Sequence, residues 1–173
     1  DWFGSTVGGG FLLKSATSAT FLIVDNNKYL IADPDLVTAL KPLGPLGTIS
    51  QEYLDSFTTA GNLTRLVKAA TGQYFIGGGV KRQILDNYSV TSFGITLENS
   101  APTPITAFSY LPWGDPIASN RSLFLNSTTK NYGIYVGGIY YEIDGATFSD
   151  INFAKWFTMS TGSMSNDGLS KVN

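Results

Sequence analysis

Short apolar runs alternate along the chain with turns rich in Asn or Gly, a pattern that predicts β-hairpins. In residues 21–31, two alternating apolar segments flank a turn at Asn26-Asn27. Residues 74–84 repeat this pattern around three glycines, and residues 132–143 repeat it around two. Asn and Gly tolerate the positive φ angles that tight hairpin turns require. We therefore expect three hairpins.

Each hairpin belongs to a longer repeat. Taking the isoleucines that end the hairpins as markers (Ile31, Ile84 and Ile143), the period is 84 − 31 = 53 and then 143 − 84 = 59 residues. A hairpin with a short helix cannot bury its apolar face alone, so such units stack on neighbours. The predicted fold is α+β and β-rich: three degenerate repeats of hairpin and short helices, packed side by side in one compact array, with a propeller-like arrangement as one option. The predicted segments are a lead-in from an upstream part of the protein at residues 1–9 and repeats at 10–61, 62–118 and 119–173, the last of them partial.

A short helix should follow each hairpin. Asp33 is suited to cap one, and Pro34 is suited to its first turn. Equivalent helices are predicted after Asp86, through Phe93, and at residues 150–157. A second short segment in each repeat is predicted at residues 50–57, 103–111 and 164–172.

The hairpin at 21–31, the helix start at Asp33-Pro34 and the stretch 49–57 resemble a known repeat family, and residues 72–84 carry the same features in the second copy. These are the β-hairpin repeats of about 50 residues in cell-wall-associated proteins of actinobacteria and other Gram-positives. A more distant similarity is to the repeat-built extracytoplasmic domain of the type VII secretion membrane component. The resemblance implies envelope localisation and a cell-wall-binding role, and it carries over no ligand residue. The Trp or Pro usual after the second hairpin strand is missing in copies two and three.

Composition narrows the partners. Charged residues make up 14% of the 173, the net charge is −2, and the 11 Lys and Arg are scattered, which argues against binding to duplex nucleic acid. Low charge with 19 Gly fits extracellular β-rich proteins and subunits packed in an assembly. No apolar run approaches the roughly 20 residues that span a bilayer, so this segment should not cross a membrane. Since the chain begins with Asp1, we expect it to be a processed or excised piece.

The sequence lacks the residue types that most catalytic mechanisms require. The chain has no His and no Cys, which removes the usual general base, the Ser-His-Asp triad, thiol nucleophiles and typical zinc ligands. Paired carboxylates remain available for glycoside hydrolysis. Their candidates are Asp33, Asp35, Asp86, Asp115, Glu142 and Asp144, of which three recur at matching repeat positions, as helix caps and turn formers do. We therefore predict no enzyme, no cofactor and no metal.

Aromatic side chains are the best candidates for ligand contacts, because their rings stack on sugars and anchor protein partners. The predicted ligand-binding residues are Trp113, Tyr29, Tyr74 and Tyr140. Trp113 is favoured because it lies in a loop between Pro112 and Gly114. The alternative is that most of these rings belong to the core.

The leading functional prediction is a non-catalytic extracellular or cell-surface module that binds cell-wall polysaccharide or peptidoglycan. The alternative is a structural or assembly subunit of a surface layer, pilus-like filament or phage tail, with copies of itself or other surface proteins as partners. A carboxylate glycosidase is the remote third. The sequence alone leaves the ligand and the oligomeric state open.

Overall fold

The computed structural model describes residues 9–85, 100–120, 122–126, 129–136, 139–144, 146–147 and 158–164. These residues form twelve strands, two short α-helices and two short 3-10 helices. The strands lie in three small sheets, so the fold is β-rich with few helices and compatible with the predicted α+β class. Within the described part of the chain the sheets are open, and they form neither a closed barrel nor a propeller.

The chain divides into two compact units. The first contains Asp1–Lys81 and Glu98–Pro112, and the second contains Arg82–Leu97 and Trp113–Asn173. The boundaries of these units fall inside the second predicted repeat, which therefore contributes residues to both.

The first sheet has five strands in the order β4-β1-β2-β3-β5. Strands β1 (Phe11–Lys14), β2 (Thr20–Val24) and β3 (Asn27–Ile31) form an antiparallel meander. Strand β4 (Gly47–Thr48) pairs in parallel with β1, and β5 (Thr58–Leu63) pairs in parallel with β3.

The turn of the first hairpin lies one residue earlier than predicted. Asp25 and Asn26 occupy it, with φ of 48° and 63°, and Asn27 already belongs to β3. Asp tolerates the left-handed region nearly as well as Asn, so the sequence did not distinguish the two placements.

The first predicted helix is confirmed as α1 (Pro34–Ala39). The Asp33 Oδ1 accepts a hydrogen bond from the backbone N–H of Asp35 at 2.9 Å, and Pro34 occupies the first turn. A short 3-10 helix (Lys41–Leu43) follows. The second predicted segment forms α2 (Gln51–Asp55), which Ser50 caps by accepting a hydrogen bond from the backbone N–H of Tyr53 at 3.2 Å.

The second sheet has the order β6-β7-β8, formed by Leu66–Ala69, Gly72–Gly77 and Val80–Ile84. Its hairpin turns at Gly78 and Gly79, whose φ angles of 60° and 77° are those of a tight type I′ turn, within the predicted glycine run. The second 3-10 helix (Ile105–Phe108) lies inside the segment predicted at 103–111. It packs in the first unit's main core with residues from the first two sheets. That core includes Leu22, Val24, Tyr29, Ile31, Leu36, Leu40, Val67, Tyr74, Ile76, Phe108 and Leu111.

The third sheet has the order β11-β10-β9-β12 and lies in the second unit. Its strands are β9 (Ser122–Asn126), β10 (Tyr132–Val136), β11 (Ile139–Ile143) and β12 (Thr158–Met164), and β12 pairs in parallel with β9. One face carries Phe124, Tyr135 and Tyr140, and the other carries Leu123, Ile134 and Ile143.

The predicted third hairpin is confirmed as β10–β11. Several predicted segments lie outside the described residues: residues 1–8 of the lead-in at 1–9, the helices at 86–93 and 150–157, and nearly all of the segment at 164–172. No described helix has the length and apolar character needed to cross a membrane.

Candidate functional site

Two buried lysines tie a hairpin to the helical segment that follows it. The Lys28 Nζ donates a hydrogen bond to the carbonyl oxygen of Leu54 at 3.0 Å, near the end of α2. The Lys81 Nζ donates one to the carbonyl oxygen of Phe108 at 2.9 Å, at the end of the second 3-10 helix. Both lysines lie three positions before the isoleucine that ends their hairpin, and the separations between lysine and carbonyl differ by only one residue: 54 − 28 = 26 and 108 − 81 = 27.

Burying the charged ammonium group of a lysine costs free energy. Burial lowers the pKa of the Lys81 ammonium below its usual value, because the charged form loses hydration. A charge-assisted hydrogen bond to a carbonyl offsets part of that loss. The Asp55 Oδ1 lies 3.4 Å from the Lys28 Nζ and adds an ion pair there.

A parallel pairing also recurs at the ends of the same two hairpins. Ile31 in β3 pairs in parallel with Leu63 in β5, and Ile84 in β8 pairs in parallel with Ile117 through an isolated bridge. The separations between the paired residues again differ by only one residue: 63 − 31 = 32 and 117 − 84 = 33. The connections that follow the first two hairpins are therefore similar in length and end in the same kind of parallel pairing.

The lysine contacts relate α2 to residues 105–111 position by position. Tyr53 and Ala107 each precede the accepting carbonyl by one residue, and Phe57 and Leu111 each follow it by three. Ala107 and Leu111 are buried in the main core of the first unit. The first sheet approaches this segment closely, since the backbone N–H of Gly10 donates to the Ala107 carbonyl at 2.8 Å.

The corresponding surface at α2 is open. Tyr53 is 46% exposed, Phe57 is half-buried, and their rings make an edge-to-face contact with centroids 5.6 Å apart. We call this surface the α2 face. It consists of Phe11, Phe21, Ile49, Tyr53 and Phe57; all but Tyr53 pack as half-buried side chains against buried Leu13, Ile23 and Leu54.

The third hairpin presents another open apolar surface. Its five residue pairs, from Tyr132 opposite Ile143 to Val136 opposite Ile139, have the register of the β2–β3 hairpin. Val136 and Tyr141 thus occupy the positions of Val24 and Tyr29. Val24 and Tyr29 are 4% and 5% exposed, whereas Val136 and Tyr141 are 45% and 41% exposed.

Pairing places Val136 and Tyr141 on the same side of the sheet, because Tyr141 lies opposite Ile134, two positions from Val136 along β10. Such diagonal neighbours lie about 7–8 Å apart, within reach of an aromatic ring. We call these two residues the third-hairpin face.

Of the four predicted ligand-binding residues, only Trp113 is exposed, at 39%. Tyr29, Tyr74 and Tyr140 are each 5% exposed, so their rings are core side chains with no face available for stacking. The Tyr29 hydroxyl donates to the Pro102 carbonyl at 3.2 Å, and the Tyr74 hydroxyl shares a hydrogen bond with Thr71 at 2.9 Å. Tyr29 and Tyr74 belong to one core cluster, and Tyr140 belongs to another.

The buried tyrosines are also poorly suited to proton transfer near neutral pH. Burial raises the pKa of Tyr140 to about 12, and the Glu142 carboxylate acts in the same direction. Burial likewise raises the pKa of Tyr135 well above its usual value. A general acid or base works best with a pKa near the operating pH.

Four of the candidate carboxylates make structural contacts: Asp33, Asp35, Glu142 and Asp144. Arg65 donates from Nε to the Asp33 Oδ2 at 2.6 Å and from Nη2 to the Asp35 Oδ2 at 3.1 Å. The hydrogen bond from Arg65 is the main reason that the pKa of Asp33 is lowered. The Glu142 Oε1 accepts hydrogen bonds from Thr129 at 2.6 Å and Asn131 at 2.8 Å.

Asp144 belongs to the same structural class. Hydrogen bonds from the Thr147 backbone and side chain lower the pKa of Asp144. Glycoside hydrolysis needs a carboxyl group with a raised pKa as its general acid. The pKa values of Asp33 and Asp144 are lowered, so neither carboxyl group is suited to that role. Asp86 lies outside the described residues. Among the described side chains, no group of three His, Cys, Asp or Glu is placed to hold a metal ion.

No protein-family model matches the chain, and no curated protein matches its sequence. Among solved structures, a chain of the periplasmic assembly from the ESX-5 inner membrane complex is similar with a TM-score of 0.28 and 8% identity, over 90% of this chain and 56% of that one. A chain of an intact ESX-5 inner membrane complex is similar with a TM-score of 0.27 and 7% identity, over 94% and 52%. The chain spans about half the length of these structures. TM-scores this low do not establish a shared fold.

None of the residues in the two open faces was predicted as a site residue from the sequence. Tyr53 was inside the predicted segment 50–57, but only the lysine contacts align it with Ala107. Tyr141 lies beside Tyr140 on an alternating strand, so one of the two had to face outwards. The signal was present, but the sequence did not indicate which of the two was exposed.

Proposed function

We propose that the chain is a non-catalytic module of the extracellular or cell-envelope side that assembles with copies of itself through its open apolar faces. The observation that carries this proposal is the exposure of Val136 and Tyr141. The same hairpin positions, Val24 and Tyr29, are buried in the core of the first unit. Exposed apolar side chains, at positions that are buried in the equivalent hairpin, are typical of interaction surfaces.

Support for the envelope side comes from the sequence. Charge is low and Gly is abundant, as in extracellular β-rich proteins, and the first two hairpins resemble repeats of cell-wall-associated proteins. The absence of His and Cys supports the non-catalytic part of the proposal. A carboxylate glycosidase would be supported instead by glycan turnover that disappears in Asp33→Asn or Glu142→Gln.

The exposure of Trp113 favours a second candidate function, which is binding to cell-wall glycan. Its indole is exposed between Pro112 and Gly114, and an exposed indole can stack on a sugar ring. This favours binding to cell-wall polysaccharide or peptidoglycan.

Two measurements separate the candidates. Sedimentation velocity over a wide concentration range should show a mass that rises above the 18.6 kDa of the monomer, because assembly depends on concentration. Co-sedimentation with purified cell walls should be absent, and Trp113→Ala should change neither result. A strict monomer up to the solubility limit would overturn the assembly proposal. Wall binding that Trp113→Ala abolishes would establish the second candidate in its place.

A further inference from the structure

Building on the proposed assembly function, we propose that the third-hairpin face of one copy docks on the α2 face of a second copy, head to tail. Val136 and Tyr141 of one molecule would cover Tyr53 and Phe57 of the next. The partner is thus a second copy of this chain, and the contact extends an arrangement that the first unit already contains.

The first unit supplies the template. There, the sheet face with Val24 and Tyr29 packs in one core with Ala107, Phe108 and Leu111. The hydrogen bond from the Tyr29 hydroxyl to the Pro102 carbonyl fixes the same contact at its edge. A hairpin face therefore covers the helical segment that a buried lysine holds in place.

The helical segment and the hairpin face each have a counterpart elsewhere in the chain that is exposed to solvent. Helix α2 repeats the helical segment, since the contact of Lys28 with the Leu54 carbonyl matches that of Lys81 with the Phe108 carbonyl. Its outer positions, Tyr53 and Phe57, are exposed and half-buried, whereas their counterparts Ala107 and Leu111 are covered.

The third hairpin repeats the other half. It has the pairing register of the β2–β3 hairpin, and Tyr141 stands where Tyr29 stands. Both hairpins carry a tyrosine at this position, and Val136 matches Val24. The exposed face of the third hairpin therefore has the same side chains as the face that covers residues 105–111. Among the described residues there is thus one open surface of each kind, and the two correspond to the two sides of a contact already present in the first unit.

A contact between two different surfaces is heterologous. Each copy that binds through one face keeps the other face free, so the assembly grows into a ring or an open filament and does not stop at a dimer. This geometry leads to a complementation test that a symmetric dimer would fail.

The test uses Tyr53→Glu and Tyr141→Glu, each of which places a charge in one face and leaves the other face intact. Both changes are at exposed positions, so the far-ultraviolet circular dichroism should match that of the wild type and the thermal midpoint should fall by no more than a few degrees, since Tyr53→Glu also loses the edge-to-face contact with Phe57. Tyr110→Glu is the matched control, because Tyr110 is exposed and belongs to neither face. Sedimentation velocity is measured for each variant alone and for an equal mixture of the first two.

We expect wild type and Tyr110→Glu to associate, and each face variant alone to sediment as the monomer. The equal mixture should form a one-to-one dimer that grows no further, since only one pair of intact faces remains. The inference is wrong if either face variant associates like the wild type, or if the mixture stays monomeric. In those two outcomes wild-type assembly still stands and the proposed function survives, whereas a monomeric wild type overturns both.

Discussion

The ring of Tyr140 in β11 lies directly over the backbone of Gly133 in β10, so that a Cβ atom at position 133 would collide with it. Cross-strand pairing places both residues on the sheet face that also carries Tyr135 and Phe124. The Tyr135 ring packs edge-to-face on Phe124, with centroids 6.1 Å apart, and tilted on Tyr140, with centroids 5.5 Å apart. The glycine therefore makes room for a buried aromatic cluster in the second unit.

Gly133→Ala should destabilise the second unit by about 1–3 kcal/mol, the usual cost of forcing extra volume into a packed core. The Tyr140 ring would have to leave its place on the strand, and it has little room to do so because it is buried. Urea denaturation measures the change as a lower midpoint. Combining Gly133→Ala with Tyr140→Leu should recover part of the loss, as expected for residues in contact. Strictly additive losses in the double variant would contradict the steric explanation.

Lys81→Met should cost about 1–3 kcal/mol, because the carbonyl of buried Phe108 loses its charge-assisted hydrogen bond from Nζ and keeps the one from the backbone N–H of Leu111. Lys28→Met should have a loss of similar size for the same reason at Leu54. Lys41→Met is the control, since Lys41 is exposed and its replacement should change stability by less than about 0.5 kcal/mol. The measurement is again the urea midpoint. Stabilisation by Lys81→Met would show that the cost of burying the ammonium exceeds the value of its hydrogen bond.

Local features of the fold were predictable from the sequence. Asn and Gly residues, which tolerate positive φ, located the three hairpins, and Asp33-Pro34 located α1, because both signals act over a few residues. The parallel strands β4, β5 and β12 were not predicted. Their partners lie 30 or more residues away, and their short, polar sequences have no clear alternation.

The candidate site was harder to predict for a related reason. An aromatic residue on a strand has the same local pattern whether a neighbouring segment covers it or not. Tyr29 and Tyr141 occupy equal positions in two hairpins, yet only the first is buried. Exposure of these rings depends on long-range packing, and the composition and periodicity of the sequence do not contain that information.

Asp33→Ala should destabilise the chain by about 1 kcal/mol at neutral pH, because it removes the N-cap of α1. Asp33→Asn should lose less, since an amide oxygen can still cap the helix and the lost ion pair with Arg65 is partly exposed. The pKa of Asp33 is lowered in the folded chain, mainly by Arg65. Its contribution is therefore present above the unfolded value of about 3.9 and is lost as the pH falls through the folded value.

The measurement is the urea midpoint of wild type and both variants at neutral and at acidic pH. The difference between wild type and Asp33→Asn should shrink on acidification, because the protonated carboxyl group no longer pairs with Arg65. Arg65→Gln, which removes the same ion pair from its other side, should show the same trend. A difference that stays constant with pH would contradict the role given to Arg65.

Alkaline pH should destabilise the second unit through its buried tyrosines. Burial raises the pKa of Tyr140 to about 12 and raises the pKa of Tyr135 as well, from an ordinary value of 10.0. The folded chain therefore holds these protons longer than the unfolded chain does. Their contribution to stability is complete below about pH 10 and declines as the pH rises through the folded values.

Tyr135→Phe and Tyr140→Phe should each flatten this decline when the urea midpoint is followed from neutral pH into the alkaline range. Lys81 acts in the opposite sense, since its lowered pKa makes the folded state bind fewer protons as the pH rises towards the ordinary lysine value. Comparing each variant with the wild type cancels that contribution, because Lys81 is present in both. At neutral pH, Tyr135→Phe should be nearly neutral, since the buried hydroxyl has no hydrogen-bond partner among the described residues. If both variants keep the wild-type decline, the aromatic cluster does not control the alkaline transition.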